Sequence, residues 1–138
     1  MKTAIEIKIR GYHVDQFHHV NNARFLEFLE EGRWDYLENN HLISVFHSNN
    51  INHSVVNIQI NYRRSIFTGQ TIRVETALLK KSRQSITIQQ KLFLKDTDTL
   101  ITDAEVTNVF VNSKSGKILK IGETLYKLWP ELSSLPNN

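Results

Sequence analysis

Between Tyr12 and Asn22 the chain gathers His13, His18 and His19, the carboxylate of Asp15, and an Asn21-Asn22 pair. The asparagines stand directly before an amphipathic run, where a side-chain oxygen caps a helix. The first N–H groups of a helix have no intrahelical acceptor and lie at the positive end of its dipole. Asp15 precedes Asn22 by seven residues, so a loop can fold its carboxylate back toward those amides. An acid beside free amides suits attack on a carbonyl. The carboxylate acts as nucleophile or as base for water, and the N–H groups around Asn22 and Ala23 hold the oxyanion. On residue type alone, an ordinary turn or capping role is the commoner one for Asp15.

The neighbouring residues offer supporting chemistry. His19 can hydrogen-bond Asp15 or the loop backbone, or serve as a plain structural histidine. His13, Asp15, His18 and His19 have metal-ligand chemistry, but the chain holds no His-Glu-x-x-His pair, and adjacent residues of an extended loop point apart; no metal site is expected. Two basic clusters, Arg63-Arg64 and Lys80-Lys81-Ser82-Arg83, can bind phosphates, Arg through its planar fork and Lys as a point charge. Either can equally be a solvated hairpin.

These residues need elements to place them. Ile5, Ile7 and Ile9 alternate with Glu6 and Lys8, which predicts a first strand over Thr3 to Ile9. Arg10 to Val20 reads as a connection. From Ala23 to about Glu38, Phe25, Leu29 and Tyr36 share one helical stripe with Leu26 and Leu37 beside it; the helix ends near Asn39-Asn40. His41 to Asn52 reads as a polar loop. Val56, Ile58, Ile60 and Tyr62 then alternate with Asn57, Gln59 and Asn61. Thr68-Gly69-Gln70 is a turn. Further strands follow through Ile72 to Thr76, Ile86 to Leu94 and Ile101 to Val111, with a hairpin connection over Lys80 to Gln84 and a turn over Asp96 to Thr99. Glu123 to Leu132 reads as a short helix that Pro130 cuts or ends. One strand, a long helix and four consecutive strands make an α+β pattern, an antiparallel sheet curled around one helix. Its edge strands need a partner.

The bulk properties narrow the classes. At 138 residues one domain over 1-138 is expected. The absence of cysteine excludes disulfides, thiolate zinc sites and cysteine nucleophiles. Met1 to Arg10 lacks the form of a signal peptide, and no apolar run is long enough to span a bilayer, so a cytoplasmic protein is expected. A formal charge of +3 favours anionic partners, yet the basic residues are too dispersed to point to nucleic acid.

The stretch Tyr12 to Glu31, with Asp15, then His19-Val20-Asn21-Asn22 and a helix rich in aromatic and glutamate positions, resembles the signature of the 4-hydroxybenzoyl-CoA thioesterase family. Val56 to Arg64, reading Val-Asn-Ile-Gln-Ile-Asn-Tyr-Arg-Arg, looks like the family strand that follows the helix. Within the family the Arg-Gly-Tyr-His opening and the Glu-Glu-Gly/Ala-Arg-Trp-Asp continuation are most similar to the FadM-type long-chain acyl-CoA thioesterases. The resemblance implies a hotdog fold and hydrolysis of medium- or long-chain acyl-CoA without a cofactor. It implies Asp15 as catalyst, the helix start at Asn22 as oxyanion hole and His19 in support. Substrate contacts are expected from Tyr12, Val20, Phe25, Arg63, Arg64, Lys81 and Arg83, and the implied assembly is a homo-oligomer, a dimer or a dimer of dimers, with sites at subunit interfaces. The rival readings are cleavage of acyl carrier protein thioesters and a non-catalytic acyl-CoA-binding module. Two positions depart from the pattern: relatives often carry Gly where His18 stands and Pro where Ser65 stands, the latter a change expected to touch only the turn.

Overall fold

The computed structural model describes residues 1–137. Five strands form one antiparallel sheet in the order β1-β3-β4-β5-β2. They are β1 (Thr3–Lys8), β2 (Ile51–Tyr62), β3 (Thr71–Lys81), β4 (Ile86–Leu94) and β5 (Leu100–Asn112). Three helices accompany them: α1 (Asn22–Asn39), α2 (Leu42–Ser48) and α3 (Glu123–Leu128). The α+β pattern expected from the order of elements is the one observed. Among the described residues no helix is long and apolar enough to cross a membrane.

α1 starts where its cap predicts. The Asn21 side chain accepts the Ala23 N–H at 2.9 Å, and Asn21 N–H itself donates to His13 O at 3.0 Å. The buried stripe is Phe25, Phe28, Leu29, Gly32, Tyr36 and Leu37, spaced as one face of a 3.6-residue repeat requires. It packs chiefly on β1 and β3. Gly32 is where helix and sheet touch most closely: a Cβ there would lie 2.7 Å from Val74 Cγ1 and 2.8 Å from Gln90 Nε2. Gln90, itself fully buried, crosses the contact. Its amide donates to Leu29 O at 2.8 Å and Thr76 Oγ1 at 2.9 Å, while its oxygen accepts from Arg33 at 3.1 Å. A buried polar group costs free energy unless all its partners are supplied, and here they are.

Two expectations fail locally. Leu26, placed beside the buried stripe, is 40% exposed, because it falls on the helix flank turned from β1 and β3. His41 to Asn52 is not a loop. Leu42, Val45 and Phe46 sit at i, i+3 and i+4, and α2 inserts them into a second apolar cluster with Ile51, Phe110, Leu125 and Trp129. Its polar residues occupy the outer face and hide this spacing. The tail behaves as Pro130 dictates: α3 stops at Leu128 and a short 3-10 turn runs over Pro130–Ser134.

β1 and β2 are the two edges of the sheet, and a bulge at Val55/Asn57 shifts the register of β2 against β5. His53, Val55, Ile58, Ile60 and Tyr62 therefore lie opposite the inward-facing Phe110, Asn108, Val106, Ala104 and Thr102. Residues directly opposite in an antiparallel pair share a face, so these β2 side chains face the α1 side of the sheet.

Candidate active site

The connection between β1 and α1 is a self-bonded hairpin. His13 N–H donates to Arg10 O at 3.0 Å, and Arg10 N–H donates to His13 Nδ1 at 2.9 Å. Val14 bridges Val20 across the loop. Asp15 N–H donates to His19 O at 2.8 Å and His18 N–H to Asp15 O at 3.0 Å. The Asp15 side chain closes the turn: Oδ1 accepts the N–H of Phe17 at 2.9 Å and of His19 at 3.3 Å. Oδ2 takes no hydrogen bond among the described residues. One carboxylate oxygen thus fixes the loop and the other is left for chemistry.

Asp15, His19, Val20, Asn22, Phe25, Tyr62, Arg63, Arg64 and Ser65 line one open cleft of about 230 Å³. Seven of the ten residues singled out from sequence meet there. The helix start differs from expectation in one respect. Ala23 N–H is taken by the Asn21 cap, so of the two amides expected at the oxyanion, the Asn22 N–H is the one left without an acceptor among the described residues.

His19 stands over the cleft with Nδ1 3.5 Å from Ser65 Oγ and its ring edge-on to Phe67 at 5.1 Å. It holds Asp15 through its backbone N–H rather than through its imidazole. Arg63 is 51% exposed and pairs with Asp103, which also accepts from Asn61 Nδ2 at 3.0 Å. The Arg63 hydrogen bond, more than the Asn61 bond and the nearby Arg63 and Lys91 charges, holds the Asp103 carboxyl below its usual range against some burial. The same bond raises Arg63. Arg64 makes no ion pair among the described residues and is the cation left at the cleft.

Three expected substrate contacts lie elsewhere. Tyr12 is 69% exposed, its ring against His13 at 4.3 Å, outside the cleft. Lys81 is buried, its ammonium bonded to Leu132 O at 3.0 Å and Ser133 O at 3.1 Å and set over the Tyr126 ring; it anchors the C-terminal segment and lies outside the cleft. Arg83 is exposed on the β3–β4 turn, at the other end of β4 from the cleft, a strand length of roughly 25 Å away. Tyr62 and Ser65, unassigned in the sequence, belong to the cleft. Tyr62 OH donates to Asn22 O at 3.2 Å and its ring meets Phe25 at 5.3 Å. Its place in the Ile58, Ile60, Tyr62 alternation was the available signal, since the period carries it to the helix side. Ser65 does more than shape a turn, because its hydroxyl touches His19.

Known proteins share this fold. The description "Thioesterase-like superfamily" matches residues 9–128. The chain is 41% identical to the long-chain acyl-CoA thioesterase FadM of Escherichia coli over 89% of its own length and 94% of that protein. Among solved structures it is similar to the probable thioesterase YbaW of Escherichia coli, at 37% identity and a TM-score of 0.85, covering 96% of this chain and 98% of that one. It also resembles the 1,4-dihydroxy-2-naphthoyl-CoA thioesterase Slr0204 of Synechocystis in fold, with a TM-score of 0.80 at 14% identity over 96% of this chain and 98% of that one. The fold is the expected hotdog, and the match across most of the sequence shows that the chain belongs to the thioesterase-like superfamily.

Proposed function

We propose that the protein hydrolyses medium- and long-chain acyl-CoA thioesters, and that Asp15 and the start of α1 are its reaction centre. The observation that carries this reading is the joint placement of a half-bound carboxylate and a free helix-start amide in one cleft. The thioester oxygen accepts the Asn22 N–H, which with the helix dipole stabilises the charge that develops on it. Asp15 Oδ2 acts on the carbonyl carbon, directly or through one water. The C–S bond breaks, a C–O bond forms with oxygen that derives from water, and a proton reaches the departing coenzyme A thiolate. Arg64 supplies positive charge at the mouth for the phosphates of coenzyme A. His19 positions the loop, and Phe25 and Val20 give the cleft its apolar wall.

The long-chain preference is carried over from FadM, at 41% identity. A homodimer, paired through the free β2 edge and assembling further into a dimer of dimers, completes the reading. The Asp15→Asn variant tests it. Asn keeps the acceptor for the Phe17 and His19 amides, so the fold stands, while loss of the carboxylate lowers kcat by about 10³-fold. Thiol release from a short-to-long acyl-CoA panel is the measurement, and undiminished turnover removes Asp15 from the mechanism. Equal or faster cleavage of the matching acyl carrier protein thioester favours the carrier-protein reading. Binding without turnover in the wild-type chain favours a binding module.

A further inference from the structure

Beyond Asn112 the chain turns back along β5. Val111 bridges Ile118, Asn112 N–H donates to Lys117 O at 2.9 Å, and Leu119 N–H donates to Phe110 O at 2.8 Å. The turn is closed by its own bonds: Asn112 Oδ1 accepts the N–H of Lys114 at 2.9 Å and of Ser115 at 3.0 Å, and Gly116 supplies a positive φ of 73°. Ser113 N–H donates to Asn50 O at 2.8 Å, which ties the turn to the residue before β2. Leu119 packs on the second apolar cluster with Tyr36 and Leu37 of α1, so Lys117, two residues earlier, stands on the same helix-bearing side of the sheet. Lys114 and Lys117 are both exposed and make no ion pair among the described residues.

Within one chain these lysines are far from the Asp15 cleft. Tyr62 lies opposite Thr102, and the turn follows Asn112, ten residues further along β5, roughly 33 Å away. Pairing of two copies about the middle of β2 would remove that distance. It would set Tyr62, Ile60 and Ile58 of one copy against the partner's Ile51, His53 and Val55, and all six are helix-side residues because of the bulge at Val55/Asn57. Ile51 pairs with Asn112, and the returning Lys117 segment is the next row. From one β2 edge the partner's Lys117 would then be three strand spacings away, roughly 14 Å, level with Tyr62 and on the cleft's side of the sheet. The pantetheine arm of coenzyme A covers such a span between its sulfur and its nucleotide. Within the cleft, Arg63 is held by Asp103, which leaves Arg64 alone to face several phosphates.

We propose that the nucleotide phosphates of coenzyme A are bound across the β2 seam, by Arg64 of one copy and by Lys114 and Lys117 of the partner subunit. This rests on the thioesterase reading and on pairing through β2, and it adds the site for the nucleotide half of the substrate. The Lys114→Ala/Lys117→Ala double variant tests it, since both side chains are exposed and the turn is held by backbone and Asn112 bonds. KM for dodecanoyl-CoA is expected to rise about tenfold, while KM for dodecanoyl-pantetheine, which lacks the nucleotide, moves far less. A mixed assembly then tests whether the lysines act in trans. Chains carrying Asp15→Asn are co-expressed with chains carrying the double substitution, under two affinity tags. The working Asp15 then belongs to the lysine-less chain and faces the other chain's lysines, so sites with wild-type KM are expected to reappear. An unchanged KM for dodecanoyl-CoA in the double variant overturns the proposal. So does an equal rise for dodecanoyl-pantetheine, a mixed assembly whose KM stays raised, or two chains that do not copurify. Absence of turnover on every acyl-CoA by the wild-type chain, or full activity in Asp15→Asn, overturns the thioesterase reading instead and this site with it.

Discussion

At the scale of single residues, the site depends on how one carboxylate is divided. Asp15 spends Oδ1 on two loop amides, which orients the acid at the cost of half its acceptors. Asn21 acts similarly at the helix start: by capping Ala23 it leaves the Asn22 N–H as the available donor. His18 is the strained member of this turn. It adopts a positive φ of 63°, a left-handed conformation that costs an L-residue with a side chain roughly 1–2 kcal/mol, whereas glycine takes it freely. This gives a physical reason for the glycine that the family resemblance leads one to expect at that place. His18→Gly is therefore expected to stabilise the protein by about 1 kcal/mol after the extra chain entropy of glycine is subtracted, raising Tm by about 4 °C. A thermal melt at fixed pH decides it, and a melting temperature unchanged or lowered removes the strain argument. Asp15, Asn22 and the cap were legible because helix-start chemistry is local in sequence. The Ser65 contact with His19 was not, since it joins residues 46 apart through a turn whose geometry no spacing encodes.

At the scale of elements, the β1–α1 connection is held by a neutral histidine. His13 accepts the Arg10 N–H on Nδ1, which an imidazolium cannot do. Burial first, then the charge of Arg24, pushes its pKa below the ordinary 6.5; Glu27 acts the other way, and Arg10 adds a smaller lowering. Below pH 6.5 the unfolded chain takes up a proton that the folded loop refuses. Stability is thus whole above that value and declines as pH falls toward and through the depressed folded value. His53, also lowered, contributes with the same sign. Asn at position 13 offers a carbonyl acceptor that does not titrate. The His13→Asn variant should show a shallower loss of urea midpoint between pH 6.5 and 5, by up to one proton's slope; parallel profiles for the two proteins would show that His13 does not titrate with folding. The element pattern itself was readable where apolar periodicity ran unbroken, in β1, α1, β3, β4 and β5. It was hidden where tertiary contact supplied the order. α2 is seven residues long, too short to persist alone, and its form depends on Phe46 packing against Phe110 and Trp129. The bulge in β2 likewise moves Val55 into the inward row, which strict alternation from Val56 assigns differently. Lys81 looked like a phosphate ligand because adjacent basic residues read as a surface cluster; only the folded tail reveals the carbonyls that claim it.

At the scale of the whole molecule, the question is what covers β2. Edge strands in soluble proteins are usually blunted by lysine, by proline, by inward charges or by brevity. β2 has twelve residues from Ile51 to Tyr62, with no charged residue and no proline among them. Val55 and Val56 stand 40% and 57% exposed in its middle. The bulge there adds twist but no charge to discourage pairing. In the proposed dimer a second copy would meet the same edge by a twofold axis, since antiparallel pairing of identical strands is self-complementary. It would extend the sheet across both subunits and set the β2 face beside each Asp15 cleft near the partner. A lysine at position 56 introduces the protection that the edge lacks, placing like charges from both copies close to the axis. Val56→Lys is accordingly expected to shift the native mass from twice 16.1 kDa, or a higher even multiple, toward the single chain at micromolar concentration, with the circular dichroism spectrum unchanged. Sedimentation velocity reads the outcome. A wild-type chain that sediments as a monomer at tens of micromolar, or a lysine variant that keeps the wild-type mass, would show that β2 is not the surface through which copies meet.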